Sequence, residues 1–440
     1  MQRGSNTKTV GLALTAVLLL GGAVGVAAHR LATDTDPTAA VQSSAEPTAA
    51  PSLPPVPPAS LSPAAPASPA PQRPSPTPTP EALPAPPQAT FSIGYAGDVL
   101  MHMPVYDSSP SGDLTQIMAP FSAWTAGVDL ALCGVEVPQS PPGWEVSGYP
   151  LFGMSQAVIP SLKSAGWDGC ATASNHSLDR GWEGVVTTLD ALEAAGLGAA
   201  GTGRSPAEAA APQLYRLERN GRQITVAQFS STYGTNGIPL PAEAPWSVVH
   251  NELEALTERA KQARAQGADV VVLQIQWGNE YQTSPSEQQR AEAATLAASG
   301  QFDAIFGNHV HVPQPIEKIG NTWVAYGSGN YVSNQTPACC APLSPVGLLP
   351  VLEVTLPAGG GPAQTKMTWT AHTTDTYGGH RVFPLADLAQ GIGMENTTLT
   401  RWEVAERWEG LLAVMGGEEL LRREPYTPTG PEPSVVPRPR

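Results

Sequence analysis

Positive charge is scarce in this chain: 23 lysines and arginines stand against 38 acidic residues, a formal net charge of −15. The deficit is uneven. Residues 1–90 hold four basic side chains (Arg3, Lys8, Arg30, Arg73) and four acidic ones (Asp34, Asp36, Glu46, Glu81), so the whole −15 falls on 91–440. A domain without clustered Lys and Arg is a poor partner for nucleic acid or anionic lipid, and no nucleic-acid partner is expected. Divalent cations or a cationic partner stay open.

Cysteine is also rare, with four in the chain: Cys133, Cys170, Cys339 and Cys340. None lies near the end of the N-terminal apolar run, which argues against a lipid-modified N-terminus. Outside the cytoplasm an even count permits disulfides, and four cysteines allow three pairings. Cys133 and Cys170 fall on strands expected to be neighbours, where two buried small apolar residues would serve equally well. Large apolar side chains are nearly missing from 33–90, a run of Pro, Ala, Ser and Thr. Such a segment cannot bury enough surface to offset its ordering entropy and is expected to be a disordered tether. Residues 425–440 share this character and are expected to be a disordered tail.

Val10–Ala28, by contrast, is an uncharged, mostly apolar run preceded by Arg3 and Lys8. Its length suits a membrane span, and the leading charges favour a cytoplasmic N-terminus. Small residues at Val26-Ala27-Ala28 fit the competing reading, a cleaved signal peptide. Either way, the chain after about His29 is expected outside the cytoplasm, tethered to the cell membrane by a single pass or secreted. The division is therefore 1–32 as N-terminal stub and anchor or signal, 33–90 as linker, 91–424 as folded domain and 425–440 as tail.

From Phe91 the pattern alternates between strands and helices. Strand-like runs at 91–96, 128–133, 169–173, 270–275 and 302–306 are separated by segments of helical spacing at 155–165, 182–195, 251–266 and 286–299. Gln213–Glu218 and Gln223–Phe229 flank Arg219-Asn220-Gly221-Arg222, a hairpin signal. After Gly320 the chain is β-rich. Alternation followed by a β-rich return predicts an α/β fold of two mixed sheets with helices outside.

Chemistry gathers at the strand ends. Asp98 follows the first strand and His102 lies four residues further on. Glu136 follows the second strand, Asn175-His176 the third, and Gly307-Asn308-His309-Val310-His311 the fifth. Open α/β sheets bind ligands at the carboxyl ends of their strands. Carboxylate, amide oxygen and imidazole together suit Mn²⁺, Fe²⁺ or Zn²⁺ better than a purely oxygen-loving ion. Each residue alone has a plainer role as a turn or cap residue; the agreement of several strand ends outweighs it.

Gly97-Asp98-Val99-Leu100-Met101-His102, Ala173-Ser174-Asn175-His176-Ser177-Leu178-Asp179-Arg180-Gly181, Gly307–His311 and Tyr326-Gly327-Ser328-Gly329-Asn330-Tyr331 resemble, in order, the motif series of the CapA family. These are the poly-γ-glutamate capsule synthesis proteins, a branch of the calcineurin-like metallophosphoesterase superfamily. The resemblance covers about 91–335 and implies a four-layer α/β/β/α sandwich with a metal-binding edge. It implies metal ligands at Asp98, Asn175, His309 and His311, places Glu136 in the family's Asn-Leu-Glu motif, and makes His176 the residue that contacts or protonates a phosphoryl oxygen. An anionic envelope polymer or its precursor, and other capsule-synthesis membrane proteins, are the implied partners. Two positions depart from the family: Gln276 stands where His precedes Trp-Gly, and Gly134 where Asn opens Asn-Leu-Glu. Gln lacks an imidazole nitrogen and is a weak ligand for Zn²⁺ or Fe²⁺. Two readings follow: a metal-dependent phosphoesterase-like enzyme, or a non-catalytic polymer-binding accessory protein with a decayed site.

Overall fold

The computed structural model describes residues 85–440. The apolar run Val10–Ala28 and nearly all of the Pro/Ala-rich segment lie outside the described residues. Among the described residues, no helix is long and apolar enough to cross a membrane.

Among the described residues, fifteen strands, in chain order, build two sheets. β1 (Ala89–Val99), β2 (Leu130–Val135), β3 (Gly169–Ala171) and β4 (Gly198–Ala200) open the first. β5 (Gln213–Arg219), β6 (Arg222–Thr232), β7 (Val270–Gln276), β8 (Ala304–Asn308), β9 (Ile316–Ile319) and β10 (Thr322–Ala325) form most of the second. The chain then returns to the first sheet with β11 (Asn330–Val332), β12 (Val346–Leu356), β13 (Gln364–Asp375) and β14 (Arg381–Pro384), and ends on the second with β15 (Ser434–Val436). The orders are β14-β13-β12-β1-β2-β3-β4, with β11 also beside β1, and β15-β5-β6-β7-β8-β10-β9. Both sheets are mixed: β1 to β4 run parallel, as do β6, β7, β8 and β10, while the flanking strands are antiparallel.

Side-chain alternation along the strands explains the layering. In β7, Val270 and Val272 face the other sheet, joining a core with Tyr95, Leu130, Leu132 and Leu352 of that sheet and with Val226 and Phe306 of their own. Val271 and Leu273 face outward, onto Leu256, Ala260 and Leu296 of helices Leu253–Ala265 and Glu287–Ala298. The opposite outer face carries Ile159, Leu162, Val185 and Leu189 from helices Val158–Ser164 and Gly181–Ala194. A strand buried on both faces reads as an unbroken apolar run, as Val270–Ile275 does. The result is helices, sheet, sheet, helices, with both sets of parallel strand ends at one edge. Cys133 and Cys170 stand opposite each other in the β2–β3 register and form a disulfide; Cys339 and Cys340 form a second.

The C-terminal residues do not form the disordered tail their composition suggests. β15 pairs antiparallel with β5, Val435 opposite Tyr215. Thr429 N donates to Asp129 Oδ1 (2.6 Å), and Asp129 also pairs with the buried Arg219 (2.9 Å). The Arg438 side chain is buried and donates to the carbonyls of Thr202 (2.9 Å) and Glu208 (3.0 Å). Apolar content alone misleads here, because the segment is held by backbone pairing and buried guanidinium groups.

Candidate metal centre

Register places the first carboxylate. Asp98 sits opposite Gly134 of β2 on one side and Asn330 of β11 on the other. Its N–H donates to Gly329 O (3.1 Å). A Cβ on Gly97 would lie 1.7 Å from that same oxygen, so only glycine permits the approach. Glu136 follows β2 by one residue. Beyond β8, His309 and His311 both adopt left-handed backbone, φ 85° and 56°, while Val310 and Val312 point into apolar core. Asn236 and Tyr281, nearby, share this conformation (φ 50° and 65°). Such strain in non-glycine residues is uncommon and persists where surrounding structure imposes it.

Asp98, Glu136 and His311 meet at one point: a ligand atom from each lies within 4.8 Å of the other two, and all three residues are buried. His311 Nε2 is 3.6 Å from Glu136 Oε1, and its Nδ1 is 3.9 Å from Asp98 Oδ2. That Nδ1 is 2.8 Å from Asn330 Oδ1. Because Asn330 Nδ2 donates elsewhere, to Gln335 and the Ser344 carbonyl, its oxygen is the acceptor and His311 Nδ1 carries the proton. Nε2 is left with a lone pair beside the carboxylates, as a metal-ligating histidine requires.

Asp98 Oδ2, both Glu136 oxygens, Asn175 Oδ1 and His309 Nδ1 are buried without a hydrogen-bond partner. Buried polar atoms are ordinarily satisfied, and an unpaired buried carboxylate is costly. Burial raises Asp98 to about 7, against the opposing pull of the Asn308 side chain, the His309 N–H and the Gln276 side chain. Glu136 is pushed well above the usual carboxylate range by burial first, then by Asp98, Glu280 and Asp179. Burial also depresses His309 to about 4 and His311 to about 3, each helped by a neighbouring histidine. A divalent cation reverses this logic, favouring ionised carboxylates and neutral imidazoles together. The donor set fits such an ion, with Asp98, Glu136 and His311 as its core.

The other expected site residues are distributed around that core. Asn175 is tied to it through Gln276, whose Oε1 accepts from Asn175 N (2.9 Å). The His309 ring centre is 6.1 Å from that of His311, and its Nδ1 stays free. His176 Nδ1 is 2.7 Å from Asp179 Oδ2, which also accepts from Phe152 N (2.8 Å). His102 stands apart from the three-residue cluster: its Nδ1 accepts from Asn334 N (3.3 Å) and its ring packs edge-on to Phe152. Asp179 and Asn330 escaped the sequence reading as individual residues, although both lie inside motifs it singled out. The three-residue spacing from His176 was the available signal for Asp179. Nothing local marks Asn330 as the partner of His311.

Taken with this geometry, comparison with known proteins defines the class: the chain belongs to the bacterial capsule synthesis protein family PGA_cap, whose family model matches residues 92–335. Among its relatives is the PGA biosynthesis protein CapA of Bacillus subtilis (strain 168), 32% identical over 177 residues, which are 40% of this chain and 45% of that protein. The capsule biosynthesis protein CapA of Bacillus anthracis is 29% identical over 182 residues, 41% of this chain and 43% of that one. The matched stretch thus spans under half the length of these two curated relatives. Among solved structures, the calcineurin-like phosphoesterase YfkN from Bacillus subtilis aligns with a TM-score of 0.40 at 14% identity, covering 74% of this chain and 98% of that one.

Proposed function

We propose that this chain acts on a phosphoester in the biosynthesis or export of a capsule or envelope polymer, as a metal-dependent hydrolase tethered outside the cytoplasm by Val10–Ala28. The observation that carries the reading is the buried trio Asp98, Glu136 and His311, in which Asp98 Oδ2 and both Glu136 oxygens lack hydrogen-bond partners. Asp98, Glu136 and His311 would hold the ion, with Asn175 and His309 beside them. A bound divalent ion supplies neutralisation of charge on a phosphoryl group and an activated nucleophile near neutral pH. His176 supplies the proton. Asp179 fixes its ring through Nδ1, so Nε2 is the atom that delivers a proton to the leaving oxygen. Phe152 packs edge-on to the same ring, at 4.9 Å between centres, and limits its rotation.

Gln276 favours a second reading, a polymer-binding accessory protein without turnover. Its oxygen is already engaged by Asn175 N and offers little to an ion. Metal analysis of the full-length protein, paired with hydrolysis of bis(p-nitrophenyl) phosphate, separates the two. The enzyme reading expects metal bound and turnover lost in Glu136→Gln and His176→Ala. Bound metal without turnover by the parent on any phosphoester supports the accessory role, and absence of metal sinks the enzyme.

A further inference from the structure

The mouth of the metal centre is aromatic and acidic. The Tyr233 ring centre lies 4.5 Å from that of His309, and the Tyr281 ring centre 6.1 Å from that of His311, so two phenols flank the two histidines. Tyr233 is 45% exposed, and Tyr281 is half-buried. Tyr149, 81% exposed, packs its ring 6.4 Å from Phe152, which in turn meets His176. Glu280 is exposed and adjoins Tyr281 in the chain.

Among the described residues, the lysines lie away from this rim: Lys163 beside Asp168, Lys261 beside Glu258, Lys318 over Trp323, and Lys366 opposite Glu353 on β12. Arg180 does reach the rim, but its guanidinium lies 6.0 Å from the centre of the exposed Trp144 ring and donates to Ser147 Oγ.

We propose that Tyr149, Tyr233, Tyr281 and Glu280 form a collar that binds an alkylammonium group, so that the ligand of this centre is an amine-bearing phosphoester and not a bare polyanion. The phosphoester half rests on the reading above; the ammonium half stands on the collar alone. Aromatic faces attract ammonium through the ring quadrupole, and more strongly where water is partly excluded. A rim carboxylate adds to that attraction. A polymer of free carboxylates would instead meet Glu280 on a chain of net charge −15.

Saturation-transfer NMR titration of the full-length protein with choline and with its uncharged isostere 3,3-dimethylbutan-1-ol tests the collar without phosphate. Choline is expected to bind about tenfold more tightly than the isostere, and Glu280→Gln and Tyr281→Leu each to remove most of that difference. Glu280 is exposed, so its variant keeps the test valid if Tyr281→Leu misfolds. Equal binding of the two probes overturns the collar, as does tetra-γ-glutamate binding more tightly than choline. Running the titration with and without added Mn²⁺ keeps the two readings apart. Choline preference in a protein that takes up no metal upholds the collar and sinks the phosphoester reading, whereas metal uptake and turnover with equal probe binding sink the collar alone.

Discussion

A Cβ at Gly134 would lie 2.9 Å from Asp98 Oδ1 and 2.9 Å from the Tyr95 hydroxyl. Gly134 is therefore the residue that leaves room for the Asp98 carboxylate. Gly134→Ala is expected to displace Asp98 and weaken metal binding by about tenfold or more, the usual range for residues that orient a ligand. Metal content after dialysis measures it. Parental metal content in this variant would show that Asp98 adjusts freely.

Gln276 holds the third strand end in place more than it serves as a ligand. Gln276→Leu leaves Asn175 N without its acceptor and is expected to cost about 1–3 kcal/mol in urea unfolding. Gln276→His returns an imidazole to this edge and is expected to retain Zn²⁺ or Mn²⁺ more tightly than the parent. If both variants match the parent in stability and metal content, Gln276 has no part in the centre.

On the proposed mechanism, Asp179 acts through His176. Asp179→Asn removes the charge that orients the ring and is expected to lower kcat by about 10²-fold or more, with metal content unchanged. A change in KM alone, with kcat intact, would assign Asp179 only to anchoring Phe152.

Away from the centre, Asp168 sets a pH dependence of stability. Burial raises its carboxyl from 3.8 to about 6, opposed by the Ala131 N–H at 2.8 Å and by Lys163. Between those values the folded protein keeps a proton that the unfolded chain has lost, so stability falls as pH rises through the window. Asp168→Asn removes that slope. Urea unfolding at pH 4 and pH 7 should show the variant gaining on the parent at the higher pH, by up to about 3 kcal/mol. A difference that does not change with pH would mean the carboxyl is ionised throughout.

Much of this was legible in the sequence wherever local pattern and burial coincide. Val270–Ile275 announces itself because both faces of its strand are covered. Asn220-Gly221 announces its hairpin because both residues take left-handed backbone, φ 53° and 73°. The His309/His311 spacing and the strand-end acids were likewise visible. What could not be read is which of them converge. His311 finds Asn330 only because β11 returns beside β1, and Gly134 matters only because β2 lies against Asp98. His102, four residues from Asp98, looked like a ligand by proximity in sequence, yet the turn after β1 carries it to Asn334. Residues 425–440 were illegible for another reason: composition counts apolar surface and is blind to backbone pairing.

The seam between β15 and β5 closes what would otherwise be an open border of the second sheet. A chain cut after residue 424 would expose the unpaired N–H and C=O groups of β5, a template onto which another copy can dock. It would also strip Glu208 of Arg438 and Asp129 of Thr429. Shortened preparations would then report on self-association, and an apparent loss of activity in them would be a colloidal artefact. Fusion partners belong beyond Arg440, which leaves the β15–β5 pairing in place.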